Sequence, residues 1–439
     1  MAELELDFEV KWLPQGDGGT PGERATFASL AIVAGPDGIP VTEVDDTIAQ
    51  TVRPDIRVPM IPLAQWLVTN WWRLRWESQW EPRKDRLLDT WLQAHSMASI
   101  SNDVPWPALQ ITSDGEFIHL EARAEHIRDV AAIRYLRDIN LAIPADHFER
   151  ATDRFLAQLD ERIASCAPDD RELADLIAEL REERSDPRVA RMCKLQALAG
   201  LDPGVAPPEW IKRAMRLADA AGTTGDEVVA AVPLLRGGLD GVDDAVSAMK
   251  ASSIDVRLKA DFEAHREAAE LPWQRGRRLA AQFRAHHDLG DGPVPNEFLE
   301  EWLEVRLPLP TSPDLRERGL TGGYRNGSPR GRTRLLVTTQ RPDNQRFYLG
   351  RLIGAALVSP PSDHVLPVTS ADTAFQKLER SFGQELLCPW SALDAYTDEH
   401  GTDDEGIAAA AEHFEVSEHL VLSTLVNNGK LERERLPLG

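Results

Sequence analysis

The spacing of hydrophobic and polar positions changes along the chain, and each change predicts a different kind of structure. Up to about residue 60, apolar and polar residues partly alternate in "LELDFEVKW" and "ATFASLAIV", the period of a half-buried strand. The intervening "PQGDGGTPGE" predicts a turn. Pro62 suits the first turn of a helix that begins "PLAQWLVTNWW". "ALQITSDGEFIHLEA" predicts a hairpin, with Ser113, Asp114 and Gly115 as its turn residues.

From about residue 127 to 306 the pattern becomes helical. "ERATDRFLAQLDERIA" and "DRELADLIAELREERSD" place apolar residues three and four positions apart, with charged faces between them that we expect to be solvated. The Pro-, Gly- and Arg-rich stretch that begins at residue 307 predicts a connector. We therefore predict a predominantly helical α+β protein, with a β-containing domain over 1–126, a helical region over 127–306, a connector over 307–331 and a last domain over 332–439.

Seven of the twelve tryptophans lie between Trp66 and Trp106. Such a cluster can stack on nucleic-acid bases or carbohydrate, or it can form an aromatic core between a helix and a sheet. We favour the core, because the formal net charge of −23 opposes the neutralisation of phosphates on which nucleic-acid binding depends.

Composition narrows the setting of the protein. No apolar run approaches the roughly 18 residues of a membrane-spanning helix, and the N-terminus does not resemble a signal peptide. The three cysteines, Cys166, Cys193 and Cys388, are widely spaced, so they predict neither a disulfide framework nor a zinc site. We expect a cytoplasmic protein without a membrane partner.

The last domain contains an unexpected cation. "QRFYLGRLIGAALVSPP" predicts a buried helix, yet Arg351 lies in its middle, where a charge is costly unless it is paired. A second helix follows in "ADTAFQKLERSFGQELLCPW". The tail has the outline of helix, turn and helix, with Ser417 as a cap for the second helix and Gly429 near its end.

The order of these parts resembles the ImmA/IrrE-type metallopeptidases, over about residues 330 to 430. In that family a strand leads into a helix of the form Arg-Phe-Thr-Leu-Ala-His-Glu-Leu-Gly-His, followed by a helix ending near Glu-Leu-Leu-Met-Pro and a tail with Phe-x-Val-Ser. The resemblance implies a zincin-like fold with a helix-turn-helix-like tail. The matching residues are Arg346, Phe347, Leu349, Gly354, Leu357, Phe382, Glu385, Leu386, Leu387, Pro389, Phe414, Val416 and Ser417.

The residues for zinc chemistry do not match the family. A zincin needs two histidines one helical turn apart, a glutamate as general base and a third ligand from another element. On the family motif these four roles fall on Arg351, Leu352, Ala355 and Gln376. Arginine cannot lose its proton to donate a lone pair, and leucine and alanine offer no donor atom. We therefore expect no metal, no other cofactor and no catalytic residue.

Two interpretations of Arg351 remain open. It pairs with a carboxylate, for which Glu379 and Glu385 are the nearest candidates in sequence, or its helix is rotated and the side chain extends to water. The groove that the resemblance implies contains Arg351, Ala355, Gln376 and Glu379, and these four residues are the predicted binding site.

The favoured function is a non-catalytic pseudopeptidase that binds a protein partner. The resemblance implies a stress-response, mobile-element or phage-defence setting, with a repressor, toxin or defence component as partner. One alternative is a metal-dependent peptidase with non-standard ligands, for instance His364 with distant carboxylates. The other is a transcriptional regulator that uses the tail, but the second tail helix, "SEHLVLSTLVNN", has no Arg or Lys for DNA contacts. Nucleic acid is therefore the disfavoured partner.

Overall fold

The computed structural model describes residues 6–14, 19–79, 87–100, 104–125, 132–258, 262, 270–311, 319–325 and 332–436. Contacts divide the chain into two compact units, Met1–Ile211 and Lys212–Gly439, here called unit 1 and unit 2. The α+β class is confirmed, with about 52% helix and 17% strand. The predicted boundaries at residues 126, 306 and 331 do not coincide with this division and stay predictions. Among the described helices, none has the length and apolarity to cross a bilayer.

Unit 1 combines short antiparallel sheets with helices. Its strands are β1 (Leu6–Trp12), β2 (Phe27–Ala34), β3 (Ile39–Pro40), β4 (Val44–Asp46), β5 (Thr51–Arg53), β6 (Ile56–Pro59), β7 (Gln110–Ser113), β8 (Phe117–Ala122), β9 (Ile133–Tyr135) and β10 (Ile139–Pro144). Its helices are α1 (Pro21–Ala25), α2 (Ile61–Thr69), α3 (Trp71–Trp76), α4 (Leu87–His95), α5 (Ala145–Cys166), α6 (Glu172–Ser185) and α7 (Pro187–Leu198).

The strands of unit 1 form three sheets, in the orders β1-β2-β3, β10-β8-β7 and β5-β4-β9, with β6 added beside β2. The predicted hairpin is β7 and β8. β9 and β10 lie where the sequence predicts helix only. β9 has three residues, too few to show a period of two, and it pairs with the distant strand β4. β10 has six residues, but buried and exposed positions do not alternate along it, and it pairs with β8.

Four tryptophans of unit 1 belong to its hydrophobic core. Trp66, Trp71, Trp72 and Trp106 are buried in one hydrophobic cluster with the sheets. Trp71 also stacks on Phe148 of α5, with ring centroids 5.8 Å apart. The aromatic-core interpretation is confirmed for these four residues.

A buried ionic cluster joins α3 and α4 to β7. Both oxygens of Glu77 accept hydrogen bonds from Arg73, at 2.6 and 3.2 Å. The Nε2 of His95 lies 2.9 Å from Glu77 Oε2, and its Nδ1 lies 2.7 Å from the carbonyl of Ile111. Both ring nitrogens face an acceptor, which an imidazole satisfies only with a proton on each. The cluster therefore places a guanidinium and an imidazole around one buried carboxylate.

Unit 2 is mostly helical around one sheet. Its helices are α8 (Pro208–Ala221), within which the division falls, α9 (Gly225–Ala230), α10 (Leu239–Ala251), α11 (Pro272–His286), α12 (Asn296–Leu303), α13 (Pro342–Val358), α14 (Ala374–Leu387), α15 (Trp390–His400), α16 (Asp404–Phe414) and α17 (Glu418–Asn427). Its strands are β11 (Asp255–Val256), β12 (Leu320–Arg325), β13 (Thr333–Leu336) and β14 (Val365–Thr369).

The sheet of unit 2 is antiparallel, in the order β11-β13-β12-β14. β12 lies inside the stretch 307–331 that the sequence predicts to be a connector, so that prediction is wrong for residues 320–325. Two glycines in "LTGGYR" favour a loop by composition, but Gly322 serves a close approach of strands. A Cβ on Gly322 would lie 2.1 Å from the carbonyl oxygen of Leu366 in β14.

The predicted helix, turn and helix of the tail is present as α16 and α17. The hydroxyl of Ser417 accepts a hydrogen bond from the backbone N–H of Leu420, as predicted for the cap of α17. Leu420, Val421 and Leu425 are buried in the core of unit 2. α17 therefore packs on the rest of the unit through its apolar face.

Candidate functional site

The site is built from two helices that approach each other closely. A Cβ placed on Gly350 of α13 would lie 3.2 Å from the Cα of Gly383 in α14, and one on Gly383 would lie 3.1 Å from the backbone nitrogen of Arg351. Two glycines at the crossing thus let the helix backbones come together, which a larger side chain would prevent. The short separation brings the side chain of Arg351 within reach of α14.

The guanidinium of Arg351 is surrounded by oxygen atoms. Its Nη2 donates to Glu379 Oε1 at 2.6 Å, to Gln376 Oε1 at 2.9 Å and to the carbonyl of Thr369 at 2.6 Å. The predicted pairing of Arg351 with Glu379 is therefore present. The other candidate, Glu385, instead accepts a hydrogen bond from the backbone N–H of Trp390. Three oxygens from two elements meet at one cation.

Gln376 has a structural function in this arrangement. Its Oε1 accepts a hydrogen bond from the backbone N–H of Thr369 at 2.7 Å, and its Nε2 donates to the carbonyl of Pro367 at 3.1 Å. The same outer edge of β14 is contacted by Arg351 at the Thr369 carbonyl and by the hydroxyl of Thr224 at the Val365 carbonyl. Side chains therefore occupy backbone groups that a further strand would otherwise use.

Three of the four predicted site residues are inaccessible. Ala355, Gln376 and Glu379 are 0% exposed, whereas the side chain of Arg351 keeps 12% of its surface. Leu352, at the position that the resemblance assigns to the general base, is also fully buried. A partner can therefore contact only Arg351 among the four predicted residues unless the core opens.

Burial raises the pKa of the Glu379 carboxyl to about 8, although the guanidinium of Arg351 opposes this shift. Burial similarly raises the pKa of Tyr348, whose hydroxyl donates to the carbonyl of Gly322. Glu379 Oε2 is buried without a hydrogen-bond partner within the described part of the chain. The environment thus favours the protonated carboxyl over the carboxylate.

This shift predicts a dependence of stability on pH. The folded-state pKa of Glu379 lies above the unfolded value of about 4.5. The contribution of this carboxyl to the free energy of unfolding is therefore complete below pH 4.5 and is lost as the pH rises towards 8. Glu379→Gln cannot ionise, so we expect the stability of the wild type relative to this variant to fall between pH 5 and pH 9. Urea unfolding at pH 5, 7 and 9 measures the difference. Glu412→Gln, on the exposed surface of α16, is the control; the same pH course for wild type and Glu379→Gln would contradict the prediction.

Arg351 also lines a pocket of about 160 Å³ between the sheet and α13. Thr338, Thr339, Asn344 and Phe347 contribute to its wall, and among the residues that the structure describes no carboxylate lines it. Sequence reasoning missed these residues, because they follow β13 or begin α13 and no local pattern marks them. They form the accessible surface next to Arg351.

A larger pocket of about 580 Å³ lies at the other side of the start of α13. Two ion pairs lie in its wall: Arg346 contacts Glu415 at 3.1 Å, and Arg341 contacts Asp343 at 2.7 Å. The backbone N–H of Leu307 donates to a third carboxylate in its wall, that of Glu300. Five of the six charged residues in the wall thus already have a partner, and Glu297 is the sixth.

The geometry gives little support to the two alternative functions, a metal-dependent peptidase and a transcriptional regulator. His364 lies with Nδ1 3.2 Å from the carbonyl of Arg325 and its ring beside Tyr324. Among the residues that the structure describes, no group of three or more His, Cys, Asp or Glu side chains could hold a metal ion. In the tail, Lys430 contacts both Asp394 and Asp398, so its charge is not directed at a phosphate backbone.

The sequence matches no protein-family model, no curated protein and no solved structure. The resemblance to the ImmA/IrrE-type metallopeptidases thus rests on the motifs quoted above.

Proposed function

We propose that this protein is a non-catalytic member of the zincin-like class, a pseudopeptidase whose C-terminal domain binds a protein partner as a regulatory module. One observation carries the proposal. The Nη2 of Arg351 lies among the oxygens of Thr369, Gln376 and Glu379, at 2.6 to 2.9 Å, where the resemblance places a metal ion. A fixed cation replaces an exchangeable one, and it cannot activate water as a bound metal does.

The neighbouring residues support the same proposal. Leu352 and Ala355 are buried in the core at the positions of the general base and the second histidine. Neither can move a proton or coordinate an ion. A domain that keeps a closed core and an accessible pocket beside Arg351, but no proton-transfer group at these positions, is suited to binding rather than to hydrolysis.

Metal analysis of the full-length protein tests the non-catalytic part. After dialysis against equimolar zinc and removal of free metal, we expect the wild type to retain far less than one zinc per chain. The comparison is a variant that carries R351H, L352E, A355H and Q376E, which restores all four family positions. Stoichiometric zinc in the wild type, with chelator-sensitive cleavage of a protein substrate, would overturn the proposal.

Site-specific crosslinking tests the binding part. A photoreactive amino acid at position 338, in the pocket wall, is compared with one at position 306, where the arginine side chain is 93% exposed. We expect a protein that is crosslinked from position 338 and not from position 306, and that binds the purified wild type without being cleaved. Equal crosslinking from both positions, or zinc-dependent cleavage of the captured protein, would count against a pseudopeptidase.

A further inference from the structure

We propose that the pocket beside Arg351 binds a carboxylate of the partner chain, through the guanidinium and the polar groups of Thr338 and Asn344. This inference rests on the proposed function, because it names the chemical group by which a partner is recognised. The candidate groups are a C-terminal carboxylate and the side chain of Asp or Glu, which share the same planar pair of oxygens.

The first support is the set of donors without acceptors. Within the described residues, all hydrogen bonds of the Arg351 guanidinium involve Nη2, and its Nε is buried without a partner. The Nη1 has no hydrogen bond within the described residues and is not enclosed, so it can donate to a group in the pocket that Arg351 lines. A guanidinium that is satisfied on one side only is suited to a second anion.

The second support is the character of the wall. The side chains of Thr338, Thr339 and Asn344 have no hydrogen-bond partner in the described part of the chain, and each can donate to an oxygen. The hydroxyl of Thr321, in contrast, already donates to the carbonyl of Val368 at 3.0 Å. Unused donors therefore surround the same small volume as the guanidinium.

The third support is local charge. The protein has a formal net charge of −23, so an acidic group is repelled by most of its surface. The pocket wall carries Arg351 and no carboxylate. The nearest acid, Glu379, is held below it with a pKa raised to about 8 by burial, so near neutral pH it leaves the charge of Arg351 largely uncompensated. A volume of about 160 Å³ accommodates one carboxylate with its adjoining carbon atoms.

Three capped tripeptides test the inference on the full-length protein. Acetyl-Ala-Ala-Ala with a free C-terminus carries a terminal carboxylate, acetyl-Ala-Glu-Ala amide carries a side-chain carboxylate, and acetyl-Ala-Ala-Ala amide carries neither. Titration followed by NMR measures each Kd. We expect one of the two acidic peptides to bind at least tenfold more tightly than the neutral amide, and the stronger of the two identifies the source of the carboxylate.

The variants Thr338→Val and Asn344→Ala should each raise the Kd of the tighter-binding acidic peptide by about tenfold, which is the effect of one hydrogen bond to a charged group. Thr402→Val, between α15 and α16, is the matched control and should leave the Kd unchanged. Equal binding of all three peptides, no effect of the two pocket variants, or tighter binding of inorganic phosphate than of either acidic peptide would overturn the inference. If the peptides fail while a partner is still crosslinked from position 338, only this inference falls; stoichiometric zinc in the wild type removes the proposed function itself.

Discussion

Arg73→Met is expected to lower the free energy of unfolding of unit 1 by about 3–5 kcal/mol, the usual loss when one partner of a buried ion pair is removed. Burial raises the pKa of Glu77, but the hydrogen bonds and charges of His95 and Arg73 outweigh it and lower the pKa to about 2. The carboxylate therefore stays ionised at every ordinary pH. Without Arg73, the ring of His95 is what remains of the two basic side chains that contact it in the cluster.

Urea unfolding followed by tryptophan fluorescence measures this loss, because the ring of Trp91 stacks on His95 with centroids 4.6 Å apart. Arg150→Met provides the matched control: Arg150 pairs with Asp146 on the surface of α5, where both side chains are more than half exposed. Arg150→Met should change the free energy of unfolding by no more than about 0.5 kcal/mol. If both variants unfold at the urea concentration of the wild type, the cluster does not stabilise unit 1.

Arg351→Met is expected to lower the free energy of unfolding by about 3–5 kcal/mol at pH 9 and by clearly less at pH 6. At pH 9 the wild-type Glu379 is ionised and paired, because its pKa is raised to about 8. The variant must then either bury an unpaired carboxylate or take up a proton against the high pH. At pH 6 the carboxyl is already protonated, and the main loss is a donor for the carbonyl of Thr369.

A second substitution separates the ion pair from simple packing. The double variant R351M/E379L replaces the pair by apolar side chains. At pH 9 it should recover most of the unfolding free energy that Arg351→Met loses, since neither partner then leaves an unpaired buried charge. Arg306→Met is the control, because that side chain is 93% exposed and its ion pair with Glu300 is solvated on the arginine side. A loss for Arg351→Met that is the same at pH 6 and pH 9 would show that the charge of Glu379 is not involved.

The sequence predicts the elements whose pattern is local. The long amphipathic helices α5 and α6, the β7–β8 hairpin and the cap at Ser417 all follow from the spacing or type of neighbouring residues. β14 and β12 do not. All five residues of β14 are buried and the strand contains a proline, so it shows no alternation. β12 needs its glycines because β14 and β13 pass so close to Gly322 and Gly323.

The same distinction applies to the candidate site. A charge inside an apolar helix is visible in the sequence, and the helix that follows offers few carboxylates, so Arg351 and Glu379 could be predicted as a pair. The position of Gln376 along the edge of β14 depends on how α14 packs against the sheet, which no local pattern records. The pocket was missed for the same reason, since its wall combines residues from β12, β14 and the start of α13.

The contacts of Gln376, Arg351 and Thr224 with β14 have a consequence for self-association. Exposed strands with unsatisfied amides and carbonyls recruit other chains, which is how misfolded proteins polymerise into fibrils. Here two carbonyls and one N–H of β14 are taken by the side chains of Gln376 and Thr224, and a third carbonyl is taken by a guanidinium. The side chains of Gln376, Arg351 and Thr224 thus make these backbone groups of β14 unavailable to a strand of another chain.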